Sequence, residues 1–201
     1  MHEQIKKTNS SFMKKLHILF ALMLTAGIAG AQTWSLDKSH AKLGFGVTHL
    51  MISNVEGQFT SFDSKITSSK EDFSDAVIEL TADIKTINTS NADRDKHLKS
   101  PDFFDAEKFP VLTFKSKSFK KVEGKKYTLT GDLTMHGVTK PVTLDVTLNG
   151  TGIHPYTKKA IAGFKITGLI KRSDFNIGAS MGAATLSDEV EITANAEFIK
   201  D

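Results

Sequence analysis

The chain contains no cysteine in its 201 residues. That absence excludes a disulfide framework, a thiolate zinc or iron–sulfur site, a cysteine nucleophile and c-type haem attachment. It also excludes a lipoprotein anchor, which requires a cysteine at the processing site. Arginine is nearly absent as well, being confined to Arg94 and Arg172. A surface that tracks phosphates needs clustered Lys and Arg to release counterions, so nucleic acid is not an expected partner. No G-x-S-x-G elbow is present for a hydrolase nucleophile, and no glycine pattern for a phosphate cradle. There is no internal repeat, no low-complexity tract and no Pro/Gly/Ser linker, which leaves one domain. What is present, 39% hydrophobic and 24% charged residues, is ordinary for a globular protein and excludes wholesale disorder and a multi-span membrane protein.

Residues 1–31 have the layout of a signal peptide. Lys14 and Lys15 precede an apolar run over residues 16–24, and Ala29-Gly30-Ala31 offers an A-x-A cleavage pattern before Gln32. The run is too short to cross a hydrocarbon core of ~30 Å as a helix. Met13 opens a tighter version of the same signal and is an alternative start. The expectation is a protein exported to the periplasm or secreted, cut after Ala31, with no transmembrane segment in its mature form. Residues 1–31 carry Lys6, Lys7, Lys14, Lys15 and Glu3, so their removal takes the basic count from 26 to 22 and the acidic count from 23 to 22. The formal charge of +3 belongs to the signal, and the mature chain is neutral.

From Thr33 onward apolar residues recur with period 2, the pattern of strands with one buried face. Leu43, Phe45 and Val47 share a parity, as do Ile78, Leu80, Ala82 and Ile84, then Leu112 and Phe114, then Tyr127, Leu129, Leu133 and Met135. Val142, Leu144, Val146 and Leu148 form the cleanest set, followed by Ala162, Phe164, Ile166 and Ile170, and by Val190, Ile192, Ala194, Ala196 and Phe198. The parity changes between Phe59 and Phe62, which implies a bulge or corner. Glu123-Gly124, His136-Gly137 and Asn149-Gly150 read as short hairpin connections. About eight antiparallel strands avoid exposed edges by closing into a barrel or folding into a sandwich. One segment breaks the pattern: residues 91–99 are polar and predict a short helix anchored by Leu98.

Candidate chemistry is thin. His40, His49, His97 and His136 show none of the H-x-H, H-x-x-x-H or H-E-x-x-H spacings of a metal site. No metal, cofactor or catalytic residue is expected. Met135-His136-Gly137-Val138-Thr139-Lys140-Pro141-Val142 reads as a tight hairpin whose Pro141 begins a strand. Arg94, beside Asp95 and His97, reads either as an ion pair pinning the helix over one end of a barrel or as a polar rim for a ligand head group.

Seven segments in series carry a more specific signal. They are Trp34-Ser35-Leu36-Asp37-Lys38-Ser39-His40; Leu43-Gly44-Phe45-Gly46-Val47-Thr48-His49-Leu50; Val55-Glu56-Gly57-Gln58-Phe59; Asn91-Ala92-Asp93-Arg94-Asp95-Lys96-His97-Leu98 with Asp102-Phe103-Phe104-Asp105; Phe109-Pro110 leading to Phe114-Lys115-Ser116; Leu129-Thr130-Gly131-Asp132-Leu133-Thr134 running into His136-Gly137-Val138-Thr139-Lys140-Pro141-Val142; and Lys171-Arg172-Ser173-Asp174-Phe175-Asn176-Ile177-Gly178. Over residues 33–199 the chain resembles the YceI-like family of exported lipid- or polyisoprenoid-binding proteins. Asn176 stands where that family commonly has glycine, a change expected to tune a turn.

The resemblance implies an all-β, eight-stranded antiparallel, lipocalin-like barrel around an elongated apolar cavity, without catalysis. The expected occupant is a long-chain isoprenoid or fatty-acyl lipid, and the expected role is that of a carrier or sequestering protein. Phe45, Val47, Leu80, Leu112, Phe114, Leu144, Val146, Phe164, Ile166 and Ile192 are the expected cavity wall. Arg94, His97 and His49 are expected at its polar rim. A homodimer is compatible with this reading. Two alternatives stand beside it: an enzyme using the same cavity, with His97 or His49 as general base on a lipid head group, and a self-filled stress-response barrel acting through its surface. The volume of the interior discriminates the last of these.

Overall fold

The structure, a computed structural model, describes residues 30–201. The signal-peptide reading, with its alternative start at Met13, therefore lies outside the described residues except for Gly30 and Ala31. The strands are β1 (Gln32–His49), β2 (Ser53–Phe59), β3 (Phe62–Ser68), β4 (Val77–Asp83), β5 (Ile87–Asn88), β6 (Val111–Glu123), β7 (Lys126–Met135), β8 (Val138–Ile153), β9 (Ala160–Lys171) and β10 (Leu186–Lys200). A single α-helix among the described residues, α1 (Ala92–Leu98), sits between β5 and β6. Short 3₁₀ turns cover Ile84–Thr86 and Arg172–Phe175.

Every neighbouring pair is antiparallel, and the order β10-β9-β8-β7-β6-β4-β3-β1 closes on itself because β1 also pairs with β10, from Trp34↔Lys200 to His49↔Leu186. Eight strands thus form the barrel that the family resemblance implies, and the sandwich left open by the strand pattern is not formed. Closure removes the open edges that a sheet of this length would otherwise expose. β3 pairs with the first residues of β1, and β2 takes over the same edge from Leu43 to His49. The corner between them falls at residues 60–61, where the parity change places it. β5 adds two residues to the free edge of β2.

The pleat sends alternate side chains inward. β7 shows this most plainly: Tyr127, Leu129, Gly131, Leu133 and Met135 are buried while their neighbours are not. Gly131 has a steric reason to be there, since a Cβ would collide with the Phe114 ring and the Lys115 carbonyl oxygen. Gly131→Val is expected to destabilise the barrel by about 1–3 kcal/mol, read as a lowered midpoint in urea denaturation.

Two expectations from local sequence are corrected. Asn149-Gly150 is not a hairpin connection: β8 runs on to Ile153, and its register with β9 slips between Leu148↔Phe164 and Gly150↔Gly163. Asn149 is the extra residue of a bulge, the device by which a long strand coils around a barrel. The reversal comes at residues 154–159, where the N–H groups of Tyr156 and Thr157 donate to His154 Nδ1. Pro141 does not begin a strand either, because Val138 already pairs with Met135. Proline is tolerated inside β8 because pairing with β9 starts only at Asp145, leaving one edge of β8 free at Pro141. The His136-Gly137 turn itself stands as expected, with φ of 50° and 73°.

The connections divide between the two ends of the barrel. One end carries residues 69–76, 124–125 and 154–159; the other carries the β1–β2 turn, the long 84–110 segment, the β7–β8 turn and residues 172–185. Phe73 plugs the first end, 1% exposed, with its ring edge-on to Trp34 at 5.0 Å and to Phe164 at 5.3 Å. Tyr127 Oη donates to the Asp72 carbonyl at 2.7 Å and fixes the plug to the wall.

Candidate functional site: an apolar cavity closed by a buried arginine

The interior is not filled by its own side chains. The barrel encloses a cavity of about 200 Å³. That is larger than the engineered apolar cavity of ~150 Å³ that stays dry and takes up benzene. The self-filled barrel, as an alternative, loses its physical basis here. Space remains because the inward row of β10 carries Ala194 and Ala196 between Ile192 and Phe198, where larger residues would have met the opposite wall.

The structure places all ten expected wall residues on this cavity: Phe45, Val47, Leu80, Leu112, Phe114, Leu144, Val146, Phe164, Ile166 and Ile192. Phe73 lines it at the plugged end, and Leu98, Phe103 and Phe104 line it from the 84–110 segment. Among the described residues, only Ser64 and Arg172 contribute polar side chains to the wall. Ser64 Oγ donates to the Glu79 carbonyl at 2.8 Å and offers no free proton to the interior.

Arg172 is the residue that sequence reasoning passed over. It is 6% exposed, and all its donors reach main-chain carbonyls of residues 177–187. Nε donates to Ser187 at 3.1 Å, Nη1 to Ile177 at 3.1 Å and Gly178 at 2.6 Å, and Nη2 to Met181 at 2.6 Å and Leu186 at 3.0 Å. A guanidinium has five N–H donors, so none is left for a ligand. The side chain folds the β9–β10 connection over the barrel end and presents its packed face to the cavity. Asn176 adopts the left-handed conformation with φ of 57°. Asparagine tolerates that region better than most residues.

The three residues expected at a polar rim are elsewhere. Arg94 donates through Nε to Thr89 Oγ1 at 2.8 Å and through Nη2 to the Thr89 carbonyl at 2.9 Å. Asp95 accepts from the N–H and hydroxyl of the same threonine at 2.8 and 2.6 Å. Both charges therefore pin α1 to the chain after β5 through Thr89, which is the structural role considered for Arg94, reached through a shared partner. His97 Nε2 lies 3.4 Å from an Asp102 carboxylate oxygen and its ring is edge-on to Phe103. His49 ends β1, exposed, opposite Ser53. None of the three lines the cavity. The placement depends on how residues 84–110 pack, which local sequence patterning does not report.

The four histidines are not gathered into a metal site. His136 Nδ1 donates to the Phe175 carbonyl at 3.0 Å, and His40 pairs with Asp37 at 2.8 Å. Asp37, His40 and Glu197 bring ligand-type atoms within 4.8 Å of one another on the outer surface. The Asp37 hydrogen bond and charge raise the His40 pKa above its ordinary value.

The plug depends on a carboxylate. Asp75 accepts hydrogen bonds from the Ser68 and Ser69 hydroxyls and from the Ser69 and Lys70 N–H groups. Burial opposes its ionisation, but these hydrogen bonds outweigh it and hold the carboxyl well below the ordinary value of 3.8. A depressed folded pKa means that Asp75 stabilises the fold above pH 3.8 and loses that contribution as the pH falls through the folded value. Asp75→Asn is expected to lower the urea midpoint at about pH 7, with the gap to wild type shrinking at about pH 3.

The site is a closed antiparallel barrel around an apolar cavity, and the two polar side chains on its wall among the described residues, Ser64 and Arg172, are bonded to main-chain carbonyls. The sequence comparisons agree on which family of such barrels this is. The model of the YceI-like domain matches residues 34–198. Protein YceI of Salmonella newport (strain SL254) is 41% identical over 184 residues, covering 90% of this chain and 94% of that protein. Burkholderia cenocepacia BcnA superposes with a TM-score of 0.72 at 26% identity, over 81% of this chain and 98% of its own. A polyisoprenoid binding domain from Saccharophagus degradans, implicated in plant cell wall breakdown, shares the fold with a TM-score of 0.60 at 17% identity, over 84% and 98%. The chain belongs to the YceI-like family.

Proposed function

We propose that this protein is an exported carrier or sequestering protein that holds the hydrocarbon of one long-chain lipid, of polyisoprenoid or fatty-acyl type, inside its barrel. The observation that carries the reading is the cavity wall, on which the only polar side chains, Ser64 and Arg172, already spend their donors on main-chain carbonyls. Such a wall can recognise nothing but apolar surface. Each CH₂ taken from water contributes ~0.8 kcal/mol, so about ten of them approach the −8 kcal/mol of micromolar binding before ordering costs. The same wall argues for binding rather than turnover, since it offers no nucleophile, base or oxyanion donor. The name of the Saccharophagus degradans domain speaks of that protein; for this chain it marks a ligand class compatible with the cavity.

Export is part of the proposal and rests on the basic start, apolar run and A-x-A pattern of residues 1–31. Sequencing the N-terminus of the mature protein is expected to begin at Gln32, and an intact Met1 or Met13 would overturn it. Titrating the purified barrel with a fluorescent fatty acid and with a polyprenol tests the cavity. Saturable uptake of one molecule per barrel is expected, and uptake of neither would overturn the reading.

A further inference from the structure

The β1–β2 turn consists of Leu50, Met51 and Ile52, which are 50%, 69% and 84% exposed. Tight turns ordinarily carry Gly, Asn or Asp, and this chain uses such chemistry at His136-Gly137. Here Leu50 and Met51 take φ of 51° and 58°, a region costly for such side chains. The turn is nonetheless held firmly: Leu50 N–H donates to the Thr185 carbonyl at 2.9 Å and Ile52 N–H to the His49 carbonyl at 3.1 Å.

The surroundings of the turn are as unusual as the turn. Residues 43–55 contain no Lys, Arg, Asp or Glu, and neither do residues 175–187, which lie against them through Thr185, Leu186 and Ser187. Ala183 and Ala184 extend the exposed apolar patch on that second segment. One barrel end thus has an uncharged corner in a chain that is 24% charged over its whole length. The corner is continuous with the cavity, because Val47 and Leu186, just inside the turn, both line the wall.

We infer that the Leu50-Met51-Ile52 tip inserts into the surface of a lipid bilayer and docks this end of the barrel there. This rests on the lipid-carrier reading, since a long-chain lipid has almost no free aqueous concentration and has to be exchanged with a lipid phase. Two features favour a bilayer over a protein. Five apolar side chains fall far short of the roughly 20–30 residues a side that a stable protein interface uses. An uncharged rim also removes the desolvation cost of pressing Lys or Glu into the headgroup and acyl boundary.

The absence of cysteine makes the test direct. Met51→Cys, labelled with an environment-sensitive fluorophore, reports on the tip, and Tyr156→Cys, at a position 87% exposed in the turn at the opposite end, serves as control. With phosphatidylethanolamine/phosphatidylglycerol vesicles, the label at position 51 is expected to brighten and shift to shorter wavelength while the label at 156 does not. No shift at position 51, or equal shifts at both, would overturn the inference. Leu50→Ser combined with Ile52→Ser, both at exposed positions that leave the core intact, is expected to lower the vesicle-bound fraction roughly tenfold. An unchanged fraction would overturn it as well. Probe uptake and vesicle docking of the wild type separate the two proposals: uptake without docking sinks the tip alone, and docking without uptake sinks the carrier reading alone.

Discussion

Ala194→Phe is expected to abolish lipid uptake while leaving the barrel as stable as before or more stable. Ala194 lies on β10 between Leu43 of β1 and Ile166 of β9, and all three line the cavity. In a filled core, added atoms force neighbours off their rotamers and cost about 1–3 kcal/mol. In a cavity of about 200 Å³ the new ring meets space and gains about 25 cal/mol for each Å² of apolar surface buried. The sign of the stability change therefore reports on the cavity independently of any ligand. Affinity for a fatty-acid or polyprenol probe is expected to fall by at least about tenfold, or 1.4 kcal/mol. A destabilised barrel with unaltered uptake would place the ligand elsewhere.

Arg172→Met is expected to have the largest effect on stability. The substitution keeps much of the apolar stem that faces the cavity but removes the arginine's bonds to five carbonyl groups, of which Gly178 retains its bond from the Met181 N–H. Buried groups stripped of a charged partner cost about 3–5 kcal/mol together, which in a chain of this size lowers the thermal midpoint by about 10 °C. Arg172→Lys is not expected to rescue it, because an ammonium offers three donors from one point where the loop needs a planar fork. Asp188 reports on the same region. Its carboxylate accepts from the Ser173 hydroxyl at 2.8 Å and N–H at 3.0 Å, and these bonds, with the nearby Arg172 charge, hold its pKa below the ordinary value. A rise in the Asp188 pKa on Arg172→Met, followed by NMR titration, would show the loop released.

Barrel strands were legible because the pleat converts burial into period 2, and one buried face is all the pattern requires. The same parity located the cavity wall, since in a closed sheet the buried face and the cavity face are one surface. The signal failed where geometry is not local. Asn149-Gly150 has the composition of a two-residue turn, yet the ladder on both sides of it continues, and the dipeptide is absorbed as a bulge. Arg94 and His97 were drawn to the cavity mouth by their charge, whereas Thr89 and Asp102 hold them outside it.

Arg172 could have been found from two facts: it is one of only two arginines, and it precedes a run of thirteen residues, 175–187, without a charge and with two glycines. Such a run satisfies only some of its own carbonyls through turns, here Gly178 and Gly182, and a nearby guanidinium is the side chain with enough donors to reach the others.

Native mass spectrometry of the protein purified from its own host tests the central claim most directly. The barrel is expected to carry the added mass of one long-chain lipid, released as an apolar compound by organic solvent. A barrel that flies only at its bare polypeptide mass, and that stays so after incubation with polyprenol and fatty acid, would contradict it.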